Sequence, residues 1–337
     1  MRYVVFDENA TQDKIRQYVS DMAREGIELA PLNPREAGYA REYVVLGSDT
    51  ANAHLIESSP IVARTYVESV ERALYTHVDT RCVNVGDVTI GSRNVVVMAG
   101  PCSIDTMDNL DIIARGVKQA GARILRGGAF KPRTSPHTFQ GLGERGVEML
   151  SAVGARYTMP VVSEIVSIRD IDLFADKVDM IQIGARNMQN YDLLCEVGRL
   201  GKPVLLKRGF GNTIEELLGS MEYIVRGGSE DIVLVERGVR AVANGARNTL
   251  DITAVPILKA RTGMPVVVDP SHSAGDSSLV RSLTLASIAA GADGVIIETH
   301  NKPNEALSDG KESITPSELG DIIARARRVA EAVEREI

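Results

Sequence analysis

No stretch of this sequence approaches the roughly 18 consecutive apolar residues of a membrane-spanning helix. The opening residues, MRYVVFDENATQ, offer no signal-peptide core, because the apolar run stops at Asp7. Cysteine is scarce. The three cysteines, at 82, 102 and 195, are odd in number and far apart, so no disulfide framework is expected. Basic charge is also in short supply. The net charge is −7 and the pI is near 5.4, which argues against nucleic acid as a partner, since no overall positive field collects phosphates. These absences give the cytoplasm as the expected location and no membrane partner. Any anionic ligand must then be gathered by local cations.

What is present falls into two rhythms. Residues 1–70 read as a small βαββαβ unit, the order of a ferredoxin-like regulatory module. RYVVF, IELA, EYVVL and IVARTYVE are its strands. TQDKIRQYVSDMAREG is a helix that opens on Thr11 as N-cap, and DTANAHLIES is a shorter one. Residues 71–94 are expected to be a linker followed by a hairpin, VNVGDVTIG, with a Gly-Asp turn. From Val95 short apolar runs alternate with helical patterns: VVVMAG, ARILRG, PVVSEI, MIQIGA, PVLLKRG, IVLVERG, PVVVDPSH and GVIIETH. Near-continuous apolar strands of this kind belong to a parallel sheet covered by helices. Eight of them within 95–337 give the length of a (β/α)8 TIM barrel. The final helix is announced by Thr315, Pro316 and Glu318, a capping box with proline at its first position. The helix expected in NTLDITAVPILKA is the least marked. A doubly wound open sheet is the rival fold, but AGPCS is not the glycine-rich turn it wants after its first strand.

The strand ends carry the chemistry. In order they present Cys102, Arg126, Glu164, Gln182 with Arg186, Lys207, Glu236 with Arg237, Asp269 with His272, and Glu298 with His300. In such a barrel these ends form the mouth where active sites lie. Beyond the second strand comes GGAFKPRTS, in which Lys131 and Arg133 flank Pro132 and are followed by Thr134 and Ser135. Pro132 fixes its own φ and restricts Lys131, so two cations are held apart on a stiff loop, which suits two separate anions. Each of these cations taken alone is as well explained by a carboxylate partner as by a ligand; six at one mouth are not. Cys102, His272, Glu298 and Asp309 combine a thiolate, an imidazole and two carboxylates, a set that suits a divalent transition metal. Their spacing matches no short zinc motif, and a buried cysteine is by itself ordinary. Cys82 and Cys195 are assigned to that buried fate. His54 and His77 belong to the small unit, while His137 and His300 lie near the mouth without a role. Lys207 also has a reading as a Schiff-base lysine.

AGPCS, LRGGAFKPRTSP, QGLGERG, IQIGARNMQN, PVLLKRGF, VERGVR, NTLDITAVP, DPSHSAG and LSDGK, in this order over residues 83–337, closely resemble the beta-type class I 3-deoxy-D-arabino-heptulosonate 7-phosphate (DAHP) synthases. The resemblance implies a transferase that condenses phosphoenolpyruvate with erythrose 4-phosphate at the entry to aromatic amino-acid synthesis. It implies one divalent metal ion (Mn2+, Co2+, Zn2+ or Fe2+) on Cys102, His272, Glu298 and Asp309. Arg126, Lys131, Arg186, Lys207 and Arg237 would hold phosphoenolpyruvate, and Arg133, Thr134 and Ser135 the phosphate of erythrose 4-phosphate. Lys131, His272, Cys102 and Asp269 are the implied catalytic residues. Tyrosine or phenylalanine would act through the ferredoxin-like domain, in a homotetramer or homodimer. The nearest rival, 3-deoxy-D-manno-octulosonate 8-phosphate synthase, carries asparagine where this chain has Pro132. A non-catalytic phosphosugar-binding or amino-acid-sensing relative would show a degraded ligand set, and none of the catalytic positions departs from the pattern.

Overall fold

The computed structural model describes residues 2–31, 40–46, 53–67, 81–132, 135, 137–241 and 245–337. The chain divides into two compact units, 1–77 and 78–337.

The first unit runs β1 (Arg2–Phe6), α1 (Gln12–Arg24), β2 (Glu28–Pro31), β3 (Glu42–Leu46), α2 (Ala53–Glu57) and β4 (Val62–Val67). The strands pair in the order β2-β3-β1-β4, every contact antiparallel, which is the ferredoxin-like arrangement. Thr11 caps α1 as its sequence suggests, its hydroxyl accepting from the Lys14 amide. Ile15, Tyr18 and Met22 recur along one face of α1 and pack with Val4, Phe6, Tyr43 and Val45 of the sheet. The 71–80 part of the expected linker lies outside the described residues.

The second unit opens with a hairpin, β5 (Val83–Val85) and β6 (Val88–Ile90), turning at Gly86 and Asp87. Its inward residues Val83, Val85, Val88 and Ile90 join one core cluster with Val96, Ile124, Met180, Leu205, Val233 and Val267, which lie at the starts of the barrel strands. The hairpin therefore packs with the N-terminal end of the barrel as part of that core; the expectation that grouped it with a linker placed it outside.

Eight strands follow: β7 (Val96–Gly100), β8 (Ile124–Arg126), β9 (Val161–Ile165), β10 (Met180–Ile183), β11 (Val204–Lys207), β12 (Ile232–Glu236), β13 (Val266–Val268) and β14 (Gly294–Glu298). All neighbours are parallel and β14 returns to β7, which closes the barrel. Almost every residue in these strands is buried, because the barrel interior and the helices cover both faces. The helices are α3 (Met107–Ala120), α4 (Glu144–Arg156), α5 (Ile171–Lys177), α6 (Tyr191–Arg199), α7 (Ile214–Gly227), α8 (Ala254–Thr262), α9 (Pro270–Ala274), α10 (Ser277–Ala289) and α11 (Pro316–Ala332). In α11 the capping box is complete. The Thr315 hydroxyl accepts from the Glu318 amide at 3.2 Å, and the Glu318 carboxylate accepts from the Thr315 amide at 2.7 Å. The weakly marked helix begins only at Ala254. Its expected first turns, NTLDIT, are loop, because Asn248 and Asp251 spend their side chains on the His272 carbonyl and the Arg208 guanidinium.

Candidate active site

Every strand-end residue named from the sequence sits at the C-terminal end of the barrel. Arg126 is the last residue of β8 and Lys207 the last of β11; Arg186, Arg237 and Asp269 follow β10, β12 and β13, and Glu298 ends β14. One cleft is lined by Arg126, Lys131, Arg186, Lys207, Arg237, His272 and Asp309. Arg133 and Thr134 lie outside the described residues. Ser135 is exposed, its carbonyl accepting from the side chains of Thr138 and Gln140.

Cys102, His272, Glu298 and Asp309 meet although 207 residues separate the first from the last. One ligand atom from each lies within 4.8 Å of the others. The Cys102 thiol donates to Asp309 Oδ2 at 2.9 Å, and His272 Nε2 stands 3.3 Å from Glu298 Oε1. Glu298 Oε2 is buried and has no hydrogen-bond partner among the described residues. An orphaned buried carboxylate oxygen is costly unless something else holds it. A divalent cation fits this set: one sulfur, one nitrogen and carboxylate oxygens converge, and the orphan oxygen faces no competing donor.

Asp309 adopts φ +48, in the left-handed region. The turn that holds it there is tied down by the Glu312 amide and Ser313 hydroxyl, both donating to the Asp309 carbonyl. Ser103 and Ser308, each beside a cluster residue, share a buried hydroxyl–hydroxyl bond of 2.6 Å. That bond joins the Cys102 turn to the Asp309 turn.

The charges around the cluster are strongly coupled. Burial pushes the Cys102 thiol up to about 12, reinforced by Glu298 and opposed by Lys131, whose ammonium lies 3.1 Å from the sulfur. Burial also raises the Asp269 carboxyl, but His272 and Lys207 outweigh it and hold the group well below the usual carboxylate range. Lys207 Nζ is 2.5 Å from Asp269 Oδ2, and His272 Nδ1 is 2.7 Å from the same oxygen. Asp269 is thus the shared partner that orients the imidazole and fixes the lysine. Glu298 and Asp309 are lowered despite their burial, Glu298 chiefly by His272 and Arg126, Asp309 by the Cys102 hydrogen bond and His272. Gly128 lets Lys131 fold back to the sulfur, since a Cβ there would stand 2.5 Å from Lys131 Nζ.

The cations divide into two groups. Arg126 is paired with Glu298 at 3.0 Å and Lys207 with Asp269. Among the described residues Arg186 and Arg237 have no ion-pair partner; Arg237 donates its side-chain hydrogen bonds to the carbonyls of Gly238 and His272, and burial pushes it below the usual arginine value. A buried guanidinium without a carboxylate is held ready for an anion that the protein does not itself provide.

The sequence reading missed several participants. Arg247 lines the cleft, 3.8 Å from Asp309, and makes two 2.9 Å bonds to Glu312. Burial, with the repulsion of Glu298 and Asp309, pushes Glu312 up to about 8 against the pull of Arg247. Neither residue ends a strand, so strand counting could not find them. Glu236 was read at the mouth beside Arg237, but it is buried and bonds Arg208, which also holds Asp251. Cys82 is exposed and Cys195 only half-buried, against the expected burial, while His300 is buried away from the cluster, its ring nitrogens facing the Lys302 amide and Asp105.

A closed parallel barrel with a four-ligand cluster and unpaired arginines at the C-terminal mouth defines an enzyme of the barrel class that handles small anions. A sequence model of the DAHP synthetase I family matches residues 67–335, and the chain belongs to that family. It is 46% identical over 275 residues to a phospho-2-dehydro-3-deoxyheptonate aldolase of Thermotoga maritima, covering 79% of this chain and 81% of that protein. A crystal structure of the phospho-2-dehydro-3-deoxyheptonate aldolase (DAHP synthase) of the same organism matches with a TM-score of 0.78 and 40% identity, over 99% of this chain and 98% of that one. A 2-dehydro-3-deoxyphosphooctonate aldolase of Syntrophobacter fumaroxidans is more distant, at 31% identity over 70% of this chain and 88% of that protein.

Proposed function

We propose that this chain condenses phosphoenolpyruvate with erythrose 4-phosphate, giving DAHP and inorganic phosphate, with a divalent ion on Cys102, His272, Glu298 and Asp309. The observation that carries the reading is that Arg186 and Arg237, without an ion-pair partner among the described residues, line one cleft with His272 and Asp309 of the cluster in which Glu298 leaves a buried carboxylate oxygen unbonded. The arginines call for an anion and the carboxylate for a cation.

When bound, the metal supplies Lewis acidity toward the aldehyde oxygen. Arg186 and Arg237 hold the phosphate and carboxylate of phosphoenolpyruvate, with Arg126, Lys131 and Lys207 beside them. Carbon 3 of phosphoenolpyruvate bonds to the aldehyde carbon. The aldehyde oxygen gains a proton, for which Lys131, a lining residue of the cleft, is the candidate donor. Water adds at carbon 2, its proton balances the one consumed, and the carbon–oxygen bond to phosphate breaks. Orientation and charge neutralisation between two polyanions are the protein's main contributions. Lys207 serves as a clamp, since its Nζ is already engaged by Asp269 in a buried ion pair. Cytoplasmic location, aromatic amino-acid inhibition through residues 1–70 and a dimeric or tetrameric state belong to the same proposal.

Phosphoenolpyruvate consumption measured with erythrose 4-phosphate and, separately, arabinose 5-phosphate tests the assignment. Turnover is expected with the four-carbon sugar. Preference for arabinose 5-phosphate would move the chain to the octulosonate branch, which Pro132 and the lower identity to that branch argue against.

A further inference from the structure

Three guanidinium groups converge on one aromatic ring at the rim of the cleft. Measured from the Phe210 ring centroid, Arg237 Cζ stands at 4.9 Å, Arg240 at 5.2 Å and Arg186 at 5.6 Å. All are within cation–π range. Phe210 comes three residues after β11 and Arg240 four after β12, and the Arg240 amide donates to the Phe210 carbonyl at 2.7 Å. The two loops are therefore locked in register. Among the described residues the Arg240 side chain has neither an ion pair nor a hydrogen bond, and it is exposed. A ring face offsets only part of the repulsion among three like charges.

We propose that Arg240 is a further phosphate-binding residue, held on Phe210 beside Arg186 and Arg237, and that it takes the phosphate group of the incoming substrate and of the released product at the rim. The inference rests on the phosphoenolpyruvate reading above and extends it outward. Arg126 and Lys207 are already neutralised by Glu298 and Asp269, so the uncompensated positive charge of the cleft leans toward this rim. A planar fork suits a phosphate better than an ammonium would. Phe210 is a positioning residue here, acting through the arginines and not on the ligand.

Arg240→Ala, Arg240→Lys and Phe210→Leu are compared with the unaltered chain by calorimetric titration with inorganic phosphate and by steady-state kinetics. Loss of one charge-assisted contact at a partly exposed site is expected to weaken phosphate binding roughly five- to tenfold in Arg240→Ala. KM for phosphoenolpyruvate should rise by a similar factor, with kcat and the KM for the aldose little changed. Arg240→Lys should recover part of the loss, and Phe210→Leu should shift phosphate binding in the same direction as Arg240→Ala. Unchanged phosphate affinity in Arg240→Ala, or a rise confined to the aldose KM, overturns the proposal. An unaltered chain that binds phosphate through Arg240 but turns over no phosphoenolpyruvate would overturn the reaction and leave this site standing.

Discussion

At the scale of single residues, the cluster makes its own pH dependence. The Cys102 thiol, pushed up to about 12, holds its proton at neutral pH, whereas a metal binds the thiolate. Each unit of pH below 12 therefore costs about tenfold in thiolate, and apparent metal affinity should rise about tenfold per unit as pH increases. Competition titrations with a chelator between pH 7 and 9 check the slope, and Cys102→Ser should bind weakly and flatten it. Asp269 works in the other direction. Its carboxyl is depressed, so its contribution to stability is fully present above about pH 4, the unfolded value, and is lost as pH falls toward the lower folded one. Asp269→Asn leaves Lys207 buried without a counter-charge and should cost about 3–5 kcal/mol, read by denaturant unfolding at neutral pH. The mutant's acid limb should be shallower than that of the unaltered chain. Cys102, His272 and Glu298 were legible in the sequence because strand ends in a parallel barrel face one place. Arg247 and Glu312 were not, because their meeting depends on how two loops cross, and no periodicity encodes that.

At the scale of elements, the strands were legible because burial on both faces leaves near-continuous apolar runs, and α11 because its cap residues are explicit. Removing that cap, Thr315→Ala, should lower stability by about 1 kcal/mol, measured by thermal unfolding. The first turns expected for α8 were misread, since Asp251 and Asn248 are recruited by the mouth and drawn out of the helix. Gly100 at the end of β7 shows a tighter constraint. Its φ is +153, and a Cβ there would stand 2.0 Å from the Arg126 carbonyl. Gly100→Ala must displace the end of β8 and with it Arg126, which bonds Glu298 and the Pro101 carbonyl. The expected outcome is a folded protein with kcat reduced at least tenfold and weakened metal binding, a combination that circular dichroism and kinetics separate from unfolding.

At the scale of the whole chain, every catalytic candidate lies in 78–337, a compact unit with its own core. A chain beginning at Val78 should therefore retain turnover. Tyrosine or phenylalanine should inhibit the full chain and leave the shortened one unaffected; equal inhibition of both would place the effector on the barrel. The ferredoxin-like strand order was legible from element order alone, whereas nothing in residues 1–70 announces an amino-acid ligand. The barrel closes by pairing its last strand, β14, with its first, β7. Cys102 follows one of these strands, while Glu298 ends the other and Asp309 follows it, so the proposed metal ligands come from the two ends of the barrel sequence and should meet only once that seam is sealed. Ligand assembly should then report on a long-range, and hence slow, step of folding. In refolding with Co2+ present, the thiolate-to-metal absorption band should appear after the helical signal is complete, in step with the final phase.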